Sequence, residues 1–177
     1  MKTREAMAKR CSCRAFRPYQ ISNKELEIIV KGGNAAPVAK GDYDLVKLTV
    51  IQNGELLRKL DMEGAKIAGN PDLHPLYGAP TLILVSGKDG DQGQIERSMA
   101  NASCIIENMM ILAADIGLGS CYIFGMIEPM RNDQKLCEEL KVPEGFFPCA
   151  GVALGYPDKE SEMREFVADR IAIEYVK

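Results

Sequence analysis

The chain has 177 residues and 19.5 kDa, with 46% hydrophobic and 27% charged residues, the make-up of one soluble globular domain able to bury a full core without disulfide staples. Basic residues number 22 and acidic residues 25, a formal charge of -3. There is no basic excess to neutralise a nucleic-acid backbone, which argues against nucleic acid as a main partner.

The opening MKTREAMAKRC carries charges throughout and lacks the apolar core of a signal peptide, and no apolar run approaches the roughly 20 residues of a membrane helix. No membrane association is expected, and the expected location is the cytoplasm. Thr3 is positioned to cap a short helix through Arg10. Ser22 and Glu25 form a capping box for a second helix with apolar face Leu26, Ile29 and Val30, and Gly32 and Gly33 read as its stop. A loop containing Ala36 and Pro37 leads to a β-branched-rich strand at 45–51; Asn53-Gly54 reads as a turn and 55–68 as a helix. The proline-rich loop 69–80 holds His74, the only histidine, which reads as a surface loop residue rather than a general base.

A buried strand at 81–86 and a Gly/Asp-rich turn at 87–93 follow. Ile95, Met99, Ala102, Ile106, Met109, Ala113 and Ile116 then keep a three-and-four spacing that predicts a long central helix. Its second half is apolar on nearly every side (Ile105, Ile106, Met109, Met110, Ile111, Leu112), which predicts cover on more than one face and points to a subunit interface. A short helix at 133–140, a strand at 149–155, a polar run at 158–164 and a tail, RIAIEYV, that alternates like a strand complete the chain. With no internal repeat or linker, residues 1–177 read as one mixed α/β domain.

One histidine, and six cysteines (11, 13, 104, 121, 137 and 149) without a CxxC pair or zinc spacing, predict reduced thiols, no metal site and no acid-base triad. An enzyme of this composition would rely on a cofactor for its reaction. In KRCSCRAF, Arg10, Ser12 and Arg14 fall at every second position beyond the first helix. Extended backbone would turn two guanidinium forks and a hydroxyl the same way, an anion cradle suited to phosphate, and send Cys11 and Cys13 to the other side. A solvated basic patch is the plainer alternative. The second constellation is Gly117 to Gly125, GLGSCYIFG. Its three glycines imply either a backbone that something flat approaches closely, with free N–H groups, or a tight helix-to-strand connection capped by Gly117.

Taken in order, Arg10-x-Ser12-x-Arg14, Ala36-Pro37, Ala79-Pro80, ENMMILAADIGLGS and GVALGYP resemble the nitroreductase family nearly end to end. The resemblance implies an α+β fold of three α-β-α layers, with a mixed, mostly antiparallel sheet around a long central helix. It implies FMN as cofactor, NADH or NADPH as electron donor, a homodimer with two FMN sites at the subunit interface, and a small-molecule acceptor such as a nitroaromatic or quinone. Arg10, Cys11, Ser12 and Arg14 would lie at the flavin phosphate and ribityl region, with Pro37 and Val38 contributing from their loop. Tyr122, Ile123, Phe124 and Gly125 would run beside the isoalloxazine, the Phe124 N–H donating to N5, and Arg164 best matches a late phosphate-binding basic residue, with Arg170 as its rival.

The loop after Pro37 reads Val38-Ala-Lys-Gly41 where relatives often carry Ser and Asn, so Lys40 is expected to substitute electrostatically. Phe124 stands where many relatives have Glu. Three alternatives accompany this reading: a specialised or flavin-consuming family member, an FMN carrier or redox-sensing module without efficient turnover, and a flavin-free anion-binding domain.

Overall fold

The computed structural model describes residues 2–165, 167 and 169–177. Its first ordered turns follow from local capping chemistry. Ser22 Oγ accepts from the Glu25 N–H at 3.2 Å and Glu25 Oε2 accepts from the Ser22 N–H at 2.8 Å, so the expected box starts helix α2, Asn23–Asn34. Thr3 is not a cap: it is the first residue of α1, Thr3–Lys9, and the preceding Lys2 donates its N–H to Glu5 Oε2 at 3.0 Å. Asn53-Gly54 is not a free turn. The Asn53 side chain accepts from the N–H groups of Glu55 and Leu56, a stronger use of its oxygen than a turn offers, and opens a helix.

After α2 come strand β1 (Val46–Ile51), helix α3 (Gly54–Ile67), strand β2 (Thr81–Lys88) and the long helix α4 (Gln92–Asp115). Strand β3 (Gly119–Ile123), helices α5 (Ile127–Met130) and α6 (Gln134–Glu139), and strand β4 (Phe146–Gly155) follow. The four strands form one antiparallel sheet in the order β1-β2-β4-β3, and a parallel bridge between Ser12 and Ser120 adds the segment after α1 beside edge strand β3. Alternation along the strands divides the core. Ile83, Val85, Val152 and Leu154 face α2 and α4, whereas Leu82, Leu84, Cys121 and Ile123 face α3, α5 and α6. The result is three layers, helices on both faces of the sheet, as the family resemblance implied.

Gly32 and Gly33 do not stop α2 but lie inside it, on the side toward α4. An added Cβ at Gly32 would sit 2.2 Å from Leu112 Cδ1, and at Gly33 3.2 Å from Met109 Cγ, so both permit a close helix crossing. That crossing covers much of α4 within the chain: the helix is packed between the sheet and the helices α1 and α2, with Ile105, Ile106, Met109 and Met110 buried and Ile111 and Leu112 half-buried. Helix α4 ends in a Schellman motif, with Gly117 at φ 84°, the Leu118 N–H on the Ala113 carbonyl at 2.8 Å and the Gly117 N–H on that of Ala114. The tail departs from expectation. Residues 170–177 form neither helix nor strand, and Ile171, Ile173, Tyr175 and Val176 are exposed. Alternating side chains define the faces of a strand, but a strand also needs a neighbouring edge to pair with. Among the described residues, no helix is long and apolar enough to cross a membrane.

Candidate functional site at the end of the first helix

Beyond Lys9 the backbone becomes extended and docks along β3, where the Cys13 N–H donates to the Ser120 carbonyl at 2.8 Å. Gly119 makes this docking possible. A Cβ there would meet Cys13 Sγ at 2.7 Å and the Phe16 ring at 3.2 Å. The flat neighbour anticipated at the glycine-rich segment is therefore, at this position, the chain's own Cys13 and Phe16. Nor are its N–H groups free as a set, because Gly119–Ile123 pairs with β4. Of the three glycines, Gly117 caps a helix, Gly119 admits the docked segment, and a Cβ on Gly125 would meet nothing within 4 Å.

The docked segment forms one wall of a cavity of about 500 Å³, closed by the α4–β3 connection around Gly117 and Leu118 and by residues 157–161 after β4. Arg10, Ser12 and Arg14 all line it, so the spacing does bring the three together. Ser12 and Arg14 are exposed, and no ion pair engages Arg14 among the described residues. Arg10 is half-buried, its Nε 3.3 Å from Oε1 of Glu107 on α4. A cavity wall presenting one uncommitted guanidinium, a second held by a carboxylate and a hydroxyl can hold a phosphate-sized anion.

Cys11 and Cys13 are half-buried and border the same cavity, so alternation does not send them cleanly to another face. All six cysteines are free thiols. Burial pushes the thiols of Cys13, Cys121, Cys137 and Cys149 up, that of Cys149 to about 12, which disfavours the nucleophilic thiolate at neutral pH. His74 Nδ1 lies 2.7 Å from Asp61 Oδ2 on an exposed loop, the surface position expected for it. Among the described residues, no group of His, Cys, Asp and Glu is arranged to hold a metal ion.

The remaining sequence-derived candidates lie elsewhere in the single chain. Val38 packs into the α2–α4 core, Pro37 is exposed, and the Ala39 N–H donates to Asn101 Oδ1 at 2.9 Å. Lys40 is exposed in left-handed backbone at φ 61° and does not line the Arg10 cavity. Tyr122, Ile123, Phe124 and Gly125 border a second cavity of about 380 Å³ against α3 and Tyr77. Arg164 turns to α1, donating to the carbonyls of Met7 and Ala8 at 3.3 Å and to that of Arg10. Arg170 lies in the same depression as Arg164, outside the Arg10 cavity.

Three further residues come to notice in the folded chain. Glu107 pairs with Arg10. Asn101 is buried, and its Nδ2 has no hydrogen-bond partner among the described residues. Arg131 lies over the rings of Phe124 and Phe147, 5.8 and 5.3 Å from their centroids, and its Nε donates to the Pro148 carbonyl at 2.8 Å. Asn101 carried a faint sequence signal as a polar residue beside the apolar stripe of the central helix, whereas the partners of Glu107 and Arg131 are distant in sequence.

The sequence profile of the Nitroreductase family matches residues 7–156. An Archaeoglobus fulgidus protein named as an NADH dehydrogenase/NAD(P)H nitroreductase is 28% identical over 166 residues, covering 92% of this chain and 91% of its own. Among solved structures, a Bacteroides fragilis nitroreductase with bound FMN superposes with a TM-score of 0.83 at 26% identity, covering both chains completely. A Desulfitobacterium hafniense nitroreductase with bound FMN has the same fold, with a TM-score of 0.84 at 22% identity over 100% of both chains.

Proposed function

The chain belongs to the nitroreductase family, and from that premise we propose that it is an FMN-dependent oxidoreductase using NADH or NADPH to reduce a small acceptor such as a nitroaromatic or a quinone. The observation that carries this reading is the convergence of Arg10, Ser12 and Arg14 on one cavity, with Arg14 uncommitted. That donor set fits the phosphate of FMN, and relatives of this fold hold FMN in their crystals. When bound, FMN supplies the hydride chemistry that the side chains of this protein lack.

In this reading Arg10, Ser12 and Arg14 hold the phosphate and ribityl end, with Cys11 contributing from the same segment. Pro37 and Val38 contribute from their loop, and the backbone of Tyr122, Ile123, Phe124 and Gly125 flanks the ring system, the Phe124 N–H directed at N5. Arg131 steadies that segment from the far side by its contact with the Phe124 ring. Residues 1–177 act as one FMN-binding domain. The candidate groups fall in separate places within one chain, and the apolar side chains of the tail are exposed. Both observations favour a homodimer in which the tail reaches the partner and the site is completed between subunits. The proposed location is the cytoplasm.

An absorption spectrum of the purified protein, followed by NAD(P)H oxidation with and without a nitroaromatic acceptor, tests the reading. Bound yellow flavin with acceptor-dependent turnover is expected. Flavin without turnover across acceptors would make the protein a carrier or sensor, and a colourless protein indifferent to added FMN would overturn the reading altogether.

A further inference from the structure

Helix α1 is seven residues long, so its last carbonyls have no partner within the helix. Arg164 donates to three of the carbonyls at that end: Nε to that of Ala8, and Nη2 to those of Met7 and Arg10. The Arg164 backbone N–H donates to the Ala8 carbonyl as well, at 3.1 Å. Three of the five N–H bonds of this guanidinium are thereby directed at α1. Arg164 does not line the cavity that holds Arg10, Ser12 and Arg14.

The acceptor on Arg10 matters most, because Arg10 is where the helix gives way to the extended segment. Its carbonyl is tied by Arg164 and its Nε by Glu107, so among the described residues the terminal Nη edge of Arg10 is the part left to meet an anion. We propose that Arg164 is a positioning residue: it clamps the C-terminal carbonyls of α1 and so fixes Arg10 for a phosphate, without contacting the phosphate itself. This departs from the phosphate-binding role that the family resemblance gives to a late basic residue, and it rests on the FMN reading.

A double-mutant cycle separates the possibilities. FMN and riboflavin affinities are measured by fluorescence quenching on the full-length chain, for the parent, Arg164→Gln, Arg10→Gln and the double variant, with circular dichroism as a check on folding. A clamp acting through Arg10 predicts that Arg164→Gln weakens FMN about tenfold in the parent and less than twofold in the Arg10→Gln background, with riboflavin affinity unchanged. Arg164→Lys keeps the charge but not the planar fork that spans the carbonyls, so it should behave like Arg164→Gln, and it carries the cycle if the glutamine variant fails to fold. Equal losses in both backgrounds, full retention by lysine, or no loss from Arg164→Gln would each overturn the proposal. A parent protein that binds no FMN would overturn the functional reading first, and this inference with it.

Discussion

Arg10 and Phe124 mark opposite ends of the proposed ligand, and their substitutions should separate. Arg10→Glu replaces a charge-assisted donor with a repelling carboxylate and also opposes Glu107. It is expected to weaken FMN by more than roughly thirtyfold, about 2 kcal/mol, with the fold retained. Phe124→Ala keeps the backbone N–H and loses a half-exposed ring and its contact with Arg131, so FMN affinity should hold while acceptor preference shifts. Fluorescence titration and steady-state kinetics read the two effects. Away from the site, the Tyr156 hydroxyl donates to Glu25 Oε2 at 2.8 Å, tying the end of β4 to the start of α2. Burial alone would raise the Glu25 carboxyl, but hydrogen bonds from Ser22 and Tyr156 outweigh it and hold the group below the usual carboxylate range. A lowered folded-state pKa means that this stabilisation is present above the ordinary glutamate value and is lost as pH falls through the folded one. The Tm advantage of the parent over Tyr156→Phe should therefore narrow in thermal melts carried below about pH 4.5.

Local chemistry was readable wherever both partners lie within a few residues. The Ser22–Glu25 box formed as expected, and of the two readings of the segment after α4 the Gly117 cap is the one that closes within a turn. Gly32 and Gly33 were misread because a glycine that ends an element and a glycine that admits a neighbour are identical in sequence, and Gly119 was read as admitting a close neighbour whose identity spacing could not give. Only the folded chain reveals that the neighbours are Leu112, Met109 and Cys13. Gly119→Ala tests the last of these. Its Cβ would meet Cys13 Sγ at 2.7 Å and Cβ at 3.0 Å, so β3 and the docked segment must separate. A stability loss of about 1–3 kcal/mol in urea titration is expected, accompanied by weaker FMN binding because Ser12 and Arg14 move with the segment. Central helix α4 lay at the other extreme of legibility. Its periodicity ran for many turns, although whether its cover came from α2 or from a partner could not be read from α4 alone.

At the scale of the whole molecule, the sequence order of motifs announced the layered fold, yet the site was legible only in part. Arg10, Ser12 and Arg14 share a cavity because three residues on one extended segment need no tertiary information to converge. Their relation to Tyr122–Gly125 depends on how distant parts of one or two chains meet, which spacing does not encode. Removing residues 165–177 leaves Arg164 in place and takes away the exposed Ile171, Ile173, Tyr175 and Val176. Sedimentation of that truncation should show weaker dimerisation, together with poorer flavin retention; an unchanged dimer would place the interface elsewhere. The parallel bridge from Ser12 to Ser120 also bears on solubility. Strand β3 forms one edge of the sheet, and an uncovered edge offers unpaired peptide groups to any passing strand. The segment that carries the anion-binding residues is thus also the guard on that edge. Trimming the first 14 residues should leave the sheet open to strand addition by other copies, seen as time-dependent light scattering at concentrations where the intact chain stays clear.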